Sequence, residues 1–503
     1  MPPLGTLLTG LPVRVQGDPA IDIRTVVYDS RRAVPGSLFV ALRGQHTDGH
    51  RHLHDARARG AIAALVEEWP QGIDFPAIAQ VPDTRVALAA VAARFYEYPA
   101  MSLGLIGVTG TDGKTTTTFL IDALLRAAGY RTGLVGTIAI RIGEQFTQHD
   151  LRQTTPESLD IQHLLAQMRE NDVQWGILEA TSHGLVLHRL DHCPFDIAVV
   201  TNVTQEHLDF HGTIENYWSA KGKLLEFVRD RVERPYPRGI VLNADDEGAR
   251  WLARFAGDVP ILWYSARGHA SLSAEGLQLS TRGTVFRLRF ADRVAQVNLQ
   301  LIGPWNVDNA LAAAGVGLLL GVPMDVIADG LGQLPSIPGR FSAVDCGQPF
   351  TVVIDYAHTP ESFQRVLPLA RELAHGRVIV VFGSAGQRDR IKRRLQGAIA
   401  ARWADFAVLT SEDPRFEDPW LIIDEIAEGM RSAGALEGER YVRVEDRGAA
   451  IREAFRRARP GDIVLLLGKG HERCIIYGDE RRPWDELSEA KRALHELGYQ
   501  CSS

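Results

Sequence analysis

Apolar positions along the chain follow two rhythms. Short runs that are apolar throughout or at alternate residues, bounded by Gly, Pro, Asn and Asp, predict strands, whereas apolar residues three and four apart predict helices. Residues 1–98 hold short strand-like runs, Thr25-Val-Val-Tyr28 and Ser37-Leu-Phe-Val-Ala41, separated by turn residues, and are read as a small mixed α/β N-terminal domain. From residue 99 the rhythm changes. Runs such as Leu103-Gly-Leu-Ile-Gly-Val108, Trp175-Gly-Ile-Leu178 and Asp196-Ile-Ala-Val-Val200 alternate with helix-length segments, as a mostly parallel sheet requires. Residues 214–228 carry the spacing of an amphipathic helix. Leu334-Pro-Ser-Ile-Pro-Gly339 interrupts the pattern, because proline disfavours continued regular structure, so a central domain is expected over 99–337. Residues 338–503 resume the alternation with Thr351-Val-Val-Ile354, Val378-Ile-Val-Val-Phe382, Phe406-Ala-Val-Leu409 and Ile463-Val-Leu-Leu-Leu467. A second, Rossmann-like α/β sheet is predicted there.

Composition narrows this picture without redirecting it. At 503 residues the chain exceeds what one core can organise. A net charge of −7 with both signs plentiful argues against nucleic-acid binding. Cys193, Cys346, Cys474 and Cys501 lie far apart, which argues against a zinc knuckle and a disulfide framework and fits a reducing compartment. With neither a basic segment leading into an apolar run at the N-terminus nor a stretch of membrane-spanning length, no membrane insertion is expected and the cytoplasm is the expected location.

The chemistry is concentrated first at Gly107-Val-Thr-Gly-Thr-Asp-Gly-Lys-Thr-Thr-Thr-Thr118, which lies between a predicted strand and a predicted helix. In such a turn the backbone N–H groups of Gly110, Thr111, Asp112, Gly113, Lys114, Thr115 and Thr116 can cradle phosphate. Lys114 can reach the terminal phosphates, and the Thr115 hydroxyl can ligate Mg²⁺. Val108 departs from the strict loop pattern, which has glycine there, so a Gly/Thr-rich turn without ligand is the plain alternative. Glu179 and His207 follow predicted strands, and adjacent strands would deliver both beside Lys114. Glu179 suits Mg²⁺, whereas His207 reads equally well as a surface histidine.

Further motifs change those odds. Gly110-Thr-Asp-Gly-Lys-Thr115, Glu179-Ala-Thr-Ser-His183, Thr201-Asn-Val-Thr-Gln-Glu-His-Leu-Asp209, Gly303-Pro-Trp-Asn-Val-Asp-Asn309, Asp355-Tyr-Ala-His-Thr-Pro360 and Gly468-Lys-Gly-His-Glu472, together with Asp29-Ser-Arg31, resemble the Mur ligase family over nearly the whole chain. The resemblance implies an N-terminal domain for the UDP end of a UDP-N-acetylmuramoyl-L-alanyl-D-glutamate substrate, a central P-loop ATPase, and a C-terminal domain for a free diamino acid. It implies ATP as the nucleotide, with Asn309, Arg340 and Asp355 contacting it, and Mg²⁺ held by Thr115, Glu179 and His207. Ser30 and His46 are expected near the uridine diphosphate, and Thr154, Thr155, Thr181, Ser182 and Arg189 near the muramoyl peptide. Leu187 stands where many relatives have glutamine. Lys221 matches the lysine that the family carbamylates with CO₂ to N6-carboxylysine, a further metal ligand, although an exposed helical lysine is the bland reading; Lys223 is read that way. His358 is a candidate base.

The resemblance assigns Arg388, Glu412, Asp413, Pro414, Arg415, Gly468 and Glu472 to the amino acid. Arg415 suits the distal carboxylate of meso-2,6-diaminopimelate, whereas Glu412 and Asp413 suit the side-chain ammonium of lysine or ornithine. The acidic pair tips the sequence reading towards lysine or ornithine. A folylpolyglutamate synthetase-like ligase and a non-enzymatic nucleotide switch are the competing classes. A monomer is expected.

Overall fold

The computed structural model describes residues 1–44, 47–148, 153–204 and 206–501. The N-terminal sheet comprises β1 (Arg14–Gly17), β2 (Thr25–Val27), β3 (Ser37–Val40), β4 (Ala61–Val66) and β5 (Ala77–Gln80), in the order β1-β5-β4-β3-β2. Strands β2 to β5 pair in parallel, and β1 closes one edge antiparallel. Alternation along β3 sends Leu38 and Val40 into a cluster with Leu4, Leu65 and Val91, and Phe39 into another with Leu53 and Val66. Both faces are covered, which explains a run apolar at every position.

The central sheet begins with β6 (Gly104–Thr109), β7 (Thr132–Val135), β8 (Ala139–Ile142), β9 (Gln145–Gln148), β10 (Trp175–Glu179), β11 (Ile197–Val200), β12 (Gly239–Asn243) and β13 (Ile261–Ser265). Their order is β13-β12-β11-β6-β10-β7-β8-β9. Pairing is parallel from β13 to β7 and antiparallel at β7-β8 and β8-β9. The mostly parallel central sheet is therefore present. Its order corrects one expectation: β10 and β11 are not neighbours, because β6 lies between them. Two glycines fit β6 into that place, since a Cβ at Gly104 would lie 2.4 Å from the Trp175 ring and one at Gly107 2.5 Å from Leu224.

Three long strands outside the expected rhythm follow: β14 (Leu272–Ser280), β15 (Gly283–Phe290) and β16 (Arg293–Leu299). The C-terminal sheet comprises β17 (Ser342–Val344), β18 (Thr351–Asp355), β19 (Val378–Phe382), β20 (Phe406–Leu409), β21 (Tyr441–Arg443) and β22 (Ile463–Leu467), in the order β17-β18-β22-β19-β20-β21. All its pairs are parallel except β17-β18. Val353, Val380 and Leu465 face one core, and Val352, Val381 and Val464 the other. Cys346 and Cys501 form a disulfide, against the reading of the cysteine spacing; a separation of 155 residues hides a pairing that only the returning C-terminal segment creates.

The chain divides into two compact units. One comprises Met1–Ser273, Phe290–Arg293 and Asp308–Gly330; the other comprises Ala274–Arg289, Val294–Val307 and Leu331–Ser503. The first contains the N-terminal sheet and β6 to β13. Within it Tyr28 donates to Asp160 Oδ2 at 2.6 Å, and Arg85 pairs with Glu157 at 3.1 Å. The second unit includes residues 274–289 and 294–307, which the sequence reading placed in the central domain.

Candidate active site

In the first unit, β6 leads through residues 110–113 into the helix Lys114–Ala127. The N–H groups of a helix's first turn have no acceptor within the helix, so this turn presents donors to an anion. Gly110 and Gly113 take φ values of +149° and +83°. A Cβ at Gly113 would also sit 2.3 Å from Asn309 Oδ1. Gly113→Ala is therefore expected to destabilise the protein by about 1–3 kcal/mol, read as a lowered Tm; an unchanged Tm would show that the turn is not held this way. The segment after β11 braces the loop: Thr111 N donates to Asn202 O at 2.7 Å, Asp112 N to Asn202 Oδ1 at 3.0 Å, and Thr201 Oγ1 to Asp112 O at 2.6 Å.

Two lysines converge on one carbonyl. Lys114 Nζ donates to Gly110 O at 3.0 Å and Thr111 O at 2.7 Å, and Lys221 Nζ donates to Gly110 O at 2.6 Å. Lys221 lies on the helix Ile214–Arg229 but is 1% exposed, so the solvated-lysine reading fails. Burial, reinforced by Lys114, holds its pKa well below the ordinary lysine value. Lys223 on the same helix is partly exposed.

Glu179, at the end of β10, is buried among hydroxyls. Thr115 Oγ1 lies 3.2 Å and Thr137 Oγ1 3.0 Å from its Oε2, and Thr137 N donates to Oε1 at 2.9 Å. Thr137 also lies 3.1 Å from Thr154 Oγ1. A Cβ at Gly136 would lie 2.3 Å from Glu179 Oε1, so the chain approaches the carboxylate closely. Hard oxygens of this kind fit Mg²⁺. Among the described residues no group of three or more His, Cys, Asp or Glu is placed to hold a metal. His207 lies in a cluster of rings, with His183 at 4.7 Å and Tyr217 at 6.5 Å. His183 is pushed down to about 4 by burial, then by His207 and His211.

Around the start of the helix Ser182–Val186, Thr181 Oγ1 accepts from Gly184 N at 3.0 Å and lies 2.9 Å from Thr155 Oγ1. Ser182 Oγ meets His211 Nε2 at 3.1 Å. Arg189 donates to Thr155 O at 3.0 Å and pairs with buried Glu157 at 2.8 Å. Leu187 caps that helix. Ser30 opens a short 3₁₀ turn capped by Asp29. His46 lies outside the described residues.

In the second unit the carboxyl ends of parallel strands, where open α/β sheets bind ligands, gather the remaining candidates. Asp355 ends β18 and accepts from Phe341 N at 2.7 Å and Ala357 N at 2.8 Å. Arg340 lies over the Tyr356 ring at 5.7 Å. His358 Nδ1 lies 2.8 Å from Tyr356 O, which as a carbonyl can only accept, so Nδ1 carries a proton. Arg388 is exposed. Glu412, Asp413 and Pro414 are buried, and Arg415 takes φ +55° with its N–H bonded to Ile476 O at 2.9 Å. Gly468 takes φ +102°, and a Cβ there would lie 2.7 Å from Glu412 Oε2. Asp413 is bound to buried Lys469 at 2.8 Å, and Glu472 to the same lysine at 2.5 Å. Among the described residues Glu412 Oε2 and Arg415 Nε are buried without hydrogen-bond partners, as are Ser384 Oγ and Ser411 Oγ.

Sequence reasoning missed Thr137, Tyr217, Ser384, Ser411 and Lys469. Lys469 stood inside a quoted motif, but its burial had no local signal.

Comparisons with known proteins agree with one another. Family models match along the chain: the Mur ligase family catalytic domain over 22–96, the Mur ligase middle domain over 108–317, and the Mur ligase glutamate ligase domain over 339–470. The UDP-N-acetylmuramyl-tripeptide synthetase of Roseiflexus sp. is 48% identical over 490 residues, 95% of this chain and 96% of that protein. The UDP-N-acetylmuramoyl-L-alanyl-D-glutamate--2,6-diaminopimelate ligase of Syntrophomonas wolfei is 40% identical, covering 97% and 98%. A solved structure of a ligase with that same name superposes with a TM-score of 0.67 at 30% identity, covering 95% of this chain and 96% of the other. No helix among the described residues is long and apolar enough to cross a membrane.

Proposed function

The chain belongs to the Mur ligase family, and from that premise we propose that it joins a diamino acid to UDP-N-acetylmuramoyl-L-alanyl-D-glutamate at the expense of ATP, in peptidoglycan synthesis. The observation that carries the reading is the meeting of Lys114 and Lys221 on the Gly110 carbonyl, with Thr115 bound to Glu179. The Lys114 ammonium, with hydroxyls and helix N–H groups around it, suits charge that spreads over a transferring phosphoryl group.

A carboxylate resists amines because it is anionic and lacks a leaving group. Phosphorylation removes both obstacles. A γ-carboxylate oxygen of the D-glutamate attacks the γ-phosphorus of ATP, the bond to ADP breaks, and an acyl phosphate results. The amine of the incoming residue attacks the acyl carbon, phosphate leaves with the bonding pair, and the nitrogen loses a proton. His358 Nε2 is our candidate to take it.

In this reading residues 110–116 hold the nucleotide phosphates, and Asn309, Arg340 and Asp355 hold the rest of the nucleotide. Thr115, Glu179 and His207 would hold Mg²⁺, which when bound supplies further charge neutralisation. Burial disfavours the charged form of Lys221, and as the free amine it can attack CO₂ and lose a proton, which turns an amine into an anion able to ligate a second metal ion. Ser30, His46, Thr154, Thr155, Thr181, Ser182 and Arg189 take the nucleotide sugar and its peptide. The protein works in the cytoplasm as a monomer.

For the amino acid, the acidic-pair argument loses half its force, since Asp413 already has Lys469 as its counterion. Arg415 Nε, buried without a partner among the described residues, suits a second carboxylate. We therefore favour 2,6-diaminopimelate, in line with the names of several relatives. The unpartnered Glu412 Oε2 supports the second reading, lysine or ornithine. Ratios of kcat/KM for the three amino acids decide: diaminopimelate is expected to lead by at least tenfold, and a lead for lysine or ornithine overturns the preference. Phosphate release that ignores the muramoyl dipeptide would overturn the ligase reading itself.

A further inference from the structure

Within the proposed amino-acid site stands a buried lysine to which the reaction assigns no role. Lys469 follows β22 and is fully buried, with Nζ 2.8 Å from Asp413 Oδ1 and 2.5 Å from Glu472 Oε2. Both carboxylates have a second, fixed donor: Ile476 N reaches Asp413 Oδ1 at 3.1 Å, and the Tyr356 hydroxyl lies 3.3 Å from Glu472 Oε1. A buried ammonium is costly unless its partners are placed to match it. Here one cation links the segment after β20 to the segment after β22, so the two carboxylates cannot turn independently. Glu412, whose Oε2 would lie 2.7 Å from a Cβ at Gly468, adds a third carboxylate to the same end of the sheet.

We propose that Lys469 is a positioning residue that sets the charge of the amino-acid pocket. It holds Asp413 and Glu472 side by side and cancels enough of their charge for an amino acid with a second carboxylate to enter. The inference rests on the amino-acid site proposed above and deepens it. Without Lys469, buried Asp413 and half-buried Glu472 repel each other and any incoming carboxylate, whereas a side-chain ammonium would replace the missing cation. Without Asp413, Lys469 is left with Glu472 alone and the pocket becomes more welcoming to a carboxylate. Removing both returns the local charge to its starting value.

The test is a cycle of variants, Lys469→Met, Asp413→Asn and the double variant, each assayed for kcat/KM with diaminopimelate, lysine and ornithine, and for KM with ATP and the muramoyl dipeptide. Lys469→Met is expected to shift selectivity at least tenfold towards lysine and ornithine, and Asp413→Asn at least threefold towards diaminopimelate. The double variant should return to within about threefold of wild type. KM for ATP should stay within twofold throughout, which separates positioning from a general loosening of the fold. If Lys469→Met does not fold, the rise in Asp413→Asn and its reversal in the double variant decide. Shifts of the same sign in both single variants, or ratios that stay at the wild-type value, overturn the inference while leaving the ligase reading intact. A wild type that uses none of the three amino acids removes both.

Discussion

Lys114→Ala is expected to lower ATP-dependent ligation by 10²-fold or more while the UDP-linked substrate still binds. Lys114 Nζ is held by the carbonyls of Gly110 and Thr111, at the mouth of the loop and one residue before Thr115. Removing one well-placed charge from a site where charge develops costs about 10²–10³ in rate. Turnover and calorimetry on one preparation separate the two effects. A variant that keeps a tenth of the wild-type rate would have lost only about 1.4 kcal/mol of transition-state stabilisation, and the proposed role would be wrong.

The second large effect is expected at Lys221. Burial and the neighbouring Lys114 disfavour its charged form and so favour the free amine, the form that adds CO₂. Lys221→Ala should be almost inactive, and acetate or formate should restore part of the rate by occupying the carbamate's place. Lys221→Met provides the control. It fills the volume, so it should be equally inactive and, having no space for the small acid, should not be restored. Restoration of both variants, or of neither, would count against a carbamate and leave Lys221 as a brace for the Gly110 carbonyl.

Much of this architecture could be read from local pattern. The runs at 378–382, 406–409 and 463–467 coincide with β19, β20 and β22 because strands covered on both faces must be apolar at every position. The alternation of Leu272-Ser-Ala-Glu-Gly-Leu-Gln-Leu-Ser280 with a turn at Thr281-Arg-Gly283 was equally visible and went unread. Spatial order was not visible. Nothing in β10 or β11 says that β6 separates them, because strand order depends on which crossover packs where rather than on the strands' own residues. Side-chain fate was the other blind spot. From spacing alone Lys221 and Lys469 look like ordinary lysines; the family resemblance singled out Lys221, and the structure shows that both are buried, against Gly110 and against Asp413 and Glu472. The acidic character of residues 412–413 was legible, but the counterion 56 residues away that neutralises Asp413 was not.

The place of β6 between β10 and β11 also bears on how the chain is made. The strand that carries the phosphate loop leaves the ribosome before either neighbour, since β10 begins at Trp175 and β11 at Ile197. At about 5–20 residues per second, the backbone N–H and C=O groups along its two edges stay unpaired for several seconds of synthesis. The segment exposed to mispairing over that interval is the one on which nucleotide binding is proposed to depend. Rare codons between residues 110 and 175 would prolong that interval, in a chain only a third complete.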